Sequence, residues 1–324
     1  MQNVVHHLIR FLAVLAVITT AALATAAYNF VELTYEGAFW IQPFGTNDKG
    51  LVAGSAGFPD GSEVGFVYDP KEQTFTELPP LPGCRLYAMA INNAGVIAGD
   101  CSVSPNRNEG FILKRGTYTR FAYPGFAYTK PRAIGSIGLV TGFAGKDPDQ
   151  TDVGFIYDPA RETFTSIAID GMSGLGFNTA QGVNARGRVV GNFFLESGSA
   201  YPGSPEGSYG FVREPSGAVT LFRVKQPTWE QGFPTWGRGI NDSGVIAGFF
   251  QYPLSGFYAA FVGTLPSLGG YQEMTDAELI LVPFGVFATF FSAIDNNGRV
   301  VGSWIDAAGW PQGFIATPVP KGKQ

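Results

Sequence analysis

The chain has 324 residues, a formal net charge of −5, 44 glycines, 28 phenylalanines and only 15% charged residues. That composition describes a turn-rich all-β protein with aromatic packing and excludes a helical bundle. It contains no basic tract, so nucleic acid is not an expected partner.

Residues 1–26 read as a secretory signal peptide. Arg10 precedes an apolar run from Phe11 to Ala24, and the small-residue string Ala24-Thr25-Ala26-Ala27 places the cut after Ala26. The apolar run is too short for a comfortable membrane span. Both histidines, His6 and His7, lie inside this segment, so the mature chain has none. Ser-His-Asp and Cys-His catalysis and His-ligated zinc are thereby excluded. Losing Arg10 leaves 20 basic against 26 acidic residues, a mature charge of −6.

From there the chain repeats. Six copies of one pattern begin at Gly45, Ala90, Ala133, Gly182, Gly239 and Ala293. A Gly follows five positions later in each (50, 95, 138, 187, 244, 298), and a second Gly four beyond that (54, 99, 142, 191, 248, 302). Gly239-Ile240-Asn241-Asp242-Ser243-Gly244 shows the motif in full. Asn-Asp-x-Gly between apolar runs is the signature of a tight hairpin, a type I turn closed by a left-handed Gly. The Asn or Asp side chain binds nearby backbone N–H groups, and an L-residue at the Gly would cost roughly 1–2 kcal/mol. Turn chemistry thus accounts for these Asn and Asp residues without invoking cation sites. The third copy, Ala133-Ile134-Gly135-Ser136-Ile137-Gly138, lacks the Asn but keeps both glycines.

Each repeat continues alike. A variable loop leads to Gly-Phe at 65, 110, 154, 210 and 313, with Ala260-Phe261 as the variant, then to a polar turn and a fourth apolar strand. Four short strands every 43 to 57 residues is the period of a propeller blade. The sixth repeat stops after its third strand, near Ala316, and the missing strand stands at the other end as Phe30-Val31-Glu32-Leu33. The expected fold is therefore an all-β, six-bladed propeller of four-stranded antiparallel blades over residues 27–318, closed by the N-terminal strand completing the last blade. Residues 319–324 form a short polar tail.

The pattern Gly-Ile-Asn-Asp-x-Gly-x-Val-x-Gly, followed by a small residue, Phe and apolar residues, resembles the bacterial extracellular HAF repeats. In that family the third strand usually reads His-Ala-Phe, whereas this chain has Gly-Phe or Ala-Phe. The resemblance spans the mature chain and implies a secreted or periplasmic bacterial repeat protein, with no established activity to carry over. Some members end in a Pro-Glu-Pro sorting signal with a membrane segment; here the ending Thr317-Pro318-Val319-Pro320-Lys321-Gly322-Lys323-Gln324 lacks it. The mature chain is expected to be unanchored and monomeric.

Cys84 and Cys101 flank the second hairpin and, in an oxidising compartment, are expected to pair. Asp147, Asp149 and Asp152 crowd one loop that could hold calcium, though their spacing matches no established calcium loop and solvation explains them. No cofactor is otherwise indicated. Counting back six positions from the turn Gly gives Arg132, Gln181 and Arg238; counting back eight gives Tyr87, Lys130 and Trp236. In the simple hairpin register the second Gly faces the residue six before the turn, Gly142 against Arg132 and Gly248 against Arg238. These residues, with Trp304 among the loop aromatics, make the candidate binding site for an extracellular glycan, an acidic one first, or a surface protein. A non-catalytic binding module is the expected function. The alternative is a carboxylate-dependent polysaccharide hydrolase or lyase, calcium-assisted in one version.

Overall fold

The computed structural model describes residues 28–147, 153–169, 176–195, 207–226, 232–252, 256–280 and 288–319. The signal-peptide segment, Asp149 and Asp152 lie outside them. All regular structure among the described residues is β, in five hydrogen-bonded sheets: three of four strands, one of eight and one of five. The eight-stranded sheet is the second and third repeats joined by one parallel pairing, Tyr128 with Asn108.

Each repeat builds a four-stranded antiparallel unit. In the first, Trp40–Thr46, Val52–Gly57, Glu63–Asp69 and Thr74–Glu77 follow one another across the sheet. The last unit takes its outer strand from the N-terminal end, where Tyr28–Leu33 pairs antiparallel with Pro311–Pro318. One element has no counterpart in the repeat. Gly270–Met274, inserted before the fifth unit's outer strand, pairs in parallel with Val219–Val224 of the fourth unit.

The motif's residues have separate physical reasons. The turn glycines carry positive φ, from 74° at Gly95 and Gly187 to 90° at Gly50. Asn47 Oδ1 accepts from the N–H groups of Lys49 and Leu51, and Asn92, Asn184, Asn241 and Asp295 repeat that bonding. The leading small residue lies where neighbouring units touch: a Cβ on Gly45 would stand 2.7 Å from Ala90 Cα, and one on Gly239 2.9 Å from Ile294 N. The second Gly and the Phe of the third strand form a cross-strand pair, Gly54 with Phe66 and Gly191 with Phe211. The ring covers the Gly, as in aromatic rescue of strand glycines. Phe66, Phe111, Phe155, Phe211, Phe261 and Phe314 are fully buried, each contributing about 1.5–3 kcal/mol of burial.

The six innermost strands lie side by side in chain order, and that of the sixth unit, Thr289–Ile294, also lies against that of the first, Trp40–Thr46. At the turn end, side-chain amides stitch unit to unit. Asn47 Nδ2 donates to the Asn92 carbonyl, Asn92 to Gly135, Asn184 to Asn241 and Asn241 to Asp295. Cys84 and Cys101 form a disulfide with Cα atoms 5.3 Å apart.

Candidate functional site

Every innermost strand bends at the same place. The register shifts between Pro43 and Gly45, Ala88 and Ala90, Pro131 and Ala133, Ala180 and Gly182, Gly237 and Gly239, and Phe291 and Ala293. One extra residue is inserted each time, a β-bulge, which re-aims the side chain it carries. The bulged residues are Phe44, Met89, Arg132, Gln181, Arg238 and Ser292. This corrects the register expected from the hairpin alone: Gly142 pairs with Pro131, Gly191 with Ala180 and Gly248 with Gly237. No space opens beside the arginines at those glycines, because the inner-strand carbonyl and the Phe ring fill it.

The bulge nevertheless brings the expected residues together by another route. Phe44, Arg132, Gln181, Arg238 and Ser292 converge on one cavity of about 70 Å³, lined by residues of all six repeats. Met89 stays buried below, its Sδ 3.7 Å from Arg132 Nη1. A second cavity of the same size lies among the hairpin turns, from Asn47 and Asp48 round to Asp295 and Asn296. Its polar groups largely satisfy one another. Asp48 Oδ2 accepts from Asn296 Nδ2 at 2.9 Å, and Asn296 Nδ2 also reaches Asp242 Oδ2 at 2.8 Å.

The two guanidinium groups differ in their surroundings. Arg132 lies 5.1 Å from the Phe143 ring centroid, and its buried Nε has no hydrogen-bond partner among the described residues. The Asp100 carboxylate of the preceding unit attracts it. Asp100 is buried; its Oδ2 accepts from Asn108 Nδ2 at 2.8 Å. Burial raises the Asp100 pKa, with Arg132, Asn108 and Lys130 acting the other way. Arg238 sits over Phe249, 4.9 Å from the centroid, with no ion pair among the described residues. Burial first, and then the charge of Arg132, push it down to about 9, so it is still protonated at neutral pH. A half-buried cation without an ion-pair partner among the described residues, facing a cavity, is a site for an anion.

Between the arginines stands an uncharged stretch. Gln181 Nε2 donates to Thr179 Oγ1 at 2.9 Å, and Asn192 Nδ2 to the same oxygen at 3.1 Å. Asn192 Oδ1 is buried without a hydrogen-bond partner among the described residues. Beside Arg238 rises an aromatic wall. Trp236 stacks on Phe249 at 5.2 Å, with Tyr258 at 5.7 Å from the indole and Phe290 at 4.9 Å from Phe249.

The remaining expected residues are placed apart from the cavity. Lys130 rests near the rings of Tyr128 and Phe143. Tyr87 is turned to Glu63, and burial and that hydrogen bond raise its pKa. Trp304 packs half-buried against the sixth unit's core. Asp147 is exposed. Four further aromatics near the strand ends, Tyr128, Phe193, Phe233 and Phe250, are buried and belong to the core. Asp100, Asn192 and Phe249 were missed in sequence. All three directly follow the second Gly of their repeats, a position that counting forward would have found.

No family model matches the chain, and no curated protein matches it. Among solved structures it is similar to TolB from Acinetobacter baumannii, with TM-score 0.48 and 14% identity over 83% of this chain and 63% of that one. It is also similar to an oligogalacturonate lyase in complex with manganese, with TM-score 0.46 and 10% identity over 91% and 97% of the two chains. An arginine-to-alanine triple mutant of AofleA from Arthrobotrys oligospora gives TM-score 0.45 and 11% identity over 92% of each chain. At that level none of them tells what this chain binds.

Proposed function

We propose that the protein is a secreted bacterial binding module, a closed six-bladed β-propeller that recognises acidic groups of extracellular glycan at its axial cavity. Closure is supported by the contact between the first and sixth inner strands and by the N-terminal strand's pairing with the last unit. Hydrogen bonds from Asn296 and Asn297 to Asp48 support it too. Export fits the Cys84–Cys101 disulfide and the character of residues 1–26.

The observation that carries the binding reading is the convergence of Arg132 and Arg238 on one cavity, with Arg238 unopposed by any carboxylate among the described residues. No carboxylate among the described residues lines that cavity, so binding suits it better than the acid–base chemistry of a hydrolase or lyase. The test is binding to acidic glycans by wild type and by Arg132→Ala plus Arg238→Ala, at low and physiological salt, with folding checked by circular dichroism. Wild-type binding that weakens with salt and disappears in the double variant is expected. Binding unchanged by the double substitution would remove the site.

A further inference from the structure

The geometry points to a hexuronate as the acidic unit recognised: its carboxylate between the arginines, its sugar ring outside the cavity against Trp236. This rests on the acidic-glycan reading and narrows it to carboxylated, rather than sulfated, sugars.

Size comes first. A cavity of about 70 Å³ has room for roughly five waters, at about 10–15 Å³ of such volume each. That is space for a compact anion and some of its hydration. The ring that carries the anion can then rest at the mouth. Trp236 supplies a surface for it there. It lies two residues before the bulged Arg238 on the same strand, and both side chains rest on Phe249. An anion attached directly to a ring carbon can reach the guanidinium while its ring lies on the half-buried indole.

Chemistry comes second. The arginines offer planar donor forks, which match a planar carboxylate in bidentate fashion. Unit four, between them, offers the opposite. With Gln181 Nε2 turned to Thr179, the Gln181 carbonyl oxygen is left as an acceptor at the cavity. Acceptors repel the third oxygen of a sulfate and suit the hydroxyl donors that neighbour the carboxylate of a uronic acid. The two cations are also unequal. Asp100 offsets Arg132 but not Arg238, so Arg238 is the principal contact.

The experiment titrates the full mature chain with a galacturonate trimer, its neutral methyl ester and a sulfated galactose oligosaccharide, by calorimetry and tryptophan emission. Expected is binding of the free acid at least tenfold tighter than either competitor, with a change in emission. Arg238→Lys keeps the charge but loses the fork, and should weaken acid binding at least tenfold; Arg132→Lys should weaken it less. Trp236→Ala should weaken it as well, with thermal melting confirming that each variant folds. A preference for the sulfated probe that depends on Arg238 would overturn the hexuronate while leaving the acidic-glycan reading. Equal binding of ester and acid, or no binding of any acidic probe, would overturn both. Acid binding indifferent to Arg238→Lys and to Trp236→Ala would overturn the placement.

Discussion

Asn241 donates its side-chain amide to the Asp295 carbonyl, but Asp295, which occupies the same turn position in the next repeat, has no amide to hand on. Its Oδ2 is buried without a hydrogen bond among the described residues, 3.3 Å from Arg299 Nη1 of its own repeat, and Arg299 in turn crowds Gly50 of the first repeat. The join between the sixth and first units therefore lacks the amide step that Asn47, Asn92, Asn184 and Asn241 supply at other joins, and the side chains of Asn296 and Asn297, bonded to Asp48, span it instead.

Asp295→Asn should extend the amide stitching across that join while keeping the turn's own bonds to Asn297 and Arg299. One added buried hydrogen bond is worth about 1 kcal/mol. Burial raises the Asp295 pKa, so the wild-type fold binds its proton more tightly than the unfolded chain does. Stability from that source is full below the unfolded carboxylate range and is lost as pH rises through the raised value. Thermal melts should show the variant ahead of wild type at pH 7 and the gap narrowing toward pH 4.

The anion site should be pH-dependent on the acid side. As pH falls through its raised pKa, Asp100 protonates and ceases to offset Arg132, so carboxylate affinity should rise until the ligand's own carboxylate protonates. Lys130 is the other charge acting on Asp100. Asp100→Asn should bind several-fold tighter at pH 8 and lose this trend. Calorimetry with a uronate oligomer from pH 8 down to pH 4 checks this, and a profile identical in wild type and variant would contradict it.

Removal of the N-terminal strand tests the ring directly. A mature chain starting at Tyr35 leaves Pro311–Pro318 with an unpaired edge, an invitation to intermolecular pairing. It should aggregate or lose cooperative unfolding by light scattering and calorimetry. A monomer of unchanged stability would show that the strand closes nothing.

Unreduced, denatured protein should titrate no free thiol. Replacing Cys84 and Cys101 by Ser should cost about 3 kcal/mol, the chain-entropy value for a loop of that length. Urea unfolding of the two forms reads the difference.

The strand order and the turns were legible in sequence because each rests on local stereochemistry. Gly50 and its five equivalents need positive φ, and Asn47 needs only its own backbone for its turn bonds. The bulge was not legible. Counting from the turn paired Gly142 with Arg132 and set Cys84 three residues from opposition with Cys101. One inserted residue at Met89 moves Cys101 opposite Leu86 and brings the two cysteines one step nearer. The amide stitching was also hidden, since Asn47 meets Asn92 only once separate hairpins stand side by side. Gly270–Met274 fits no repeat period and left no signal.

The bulge divides the labour within each repeat. Glycine, asparagine and phenylalanine are held to their places by backbone and core, while at five of the six bulges the residue faces the cavity instead. Those five positions, at 44, 132, 181, 238 and 292, read Phe, Arg, Gln, Arg and Ser, and Met89 alone is buried beneath them. Specificity can thus change through five side chains, with the scaffold beneath them unchanged.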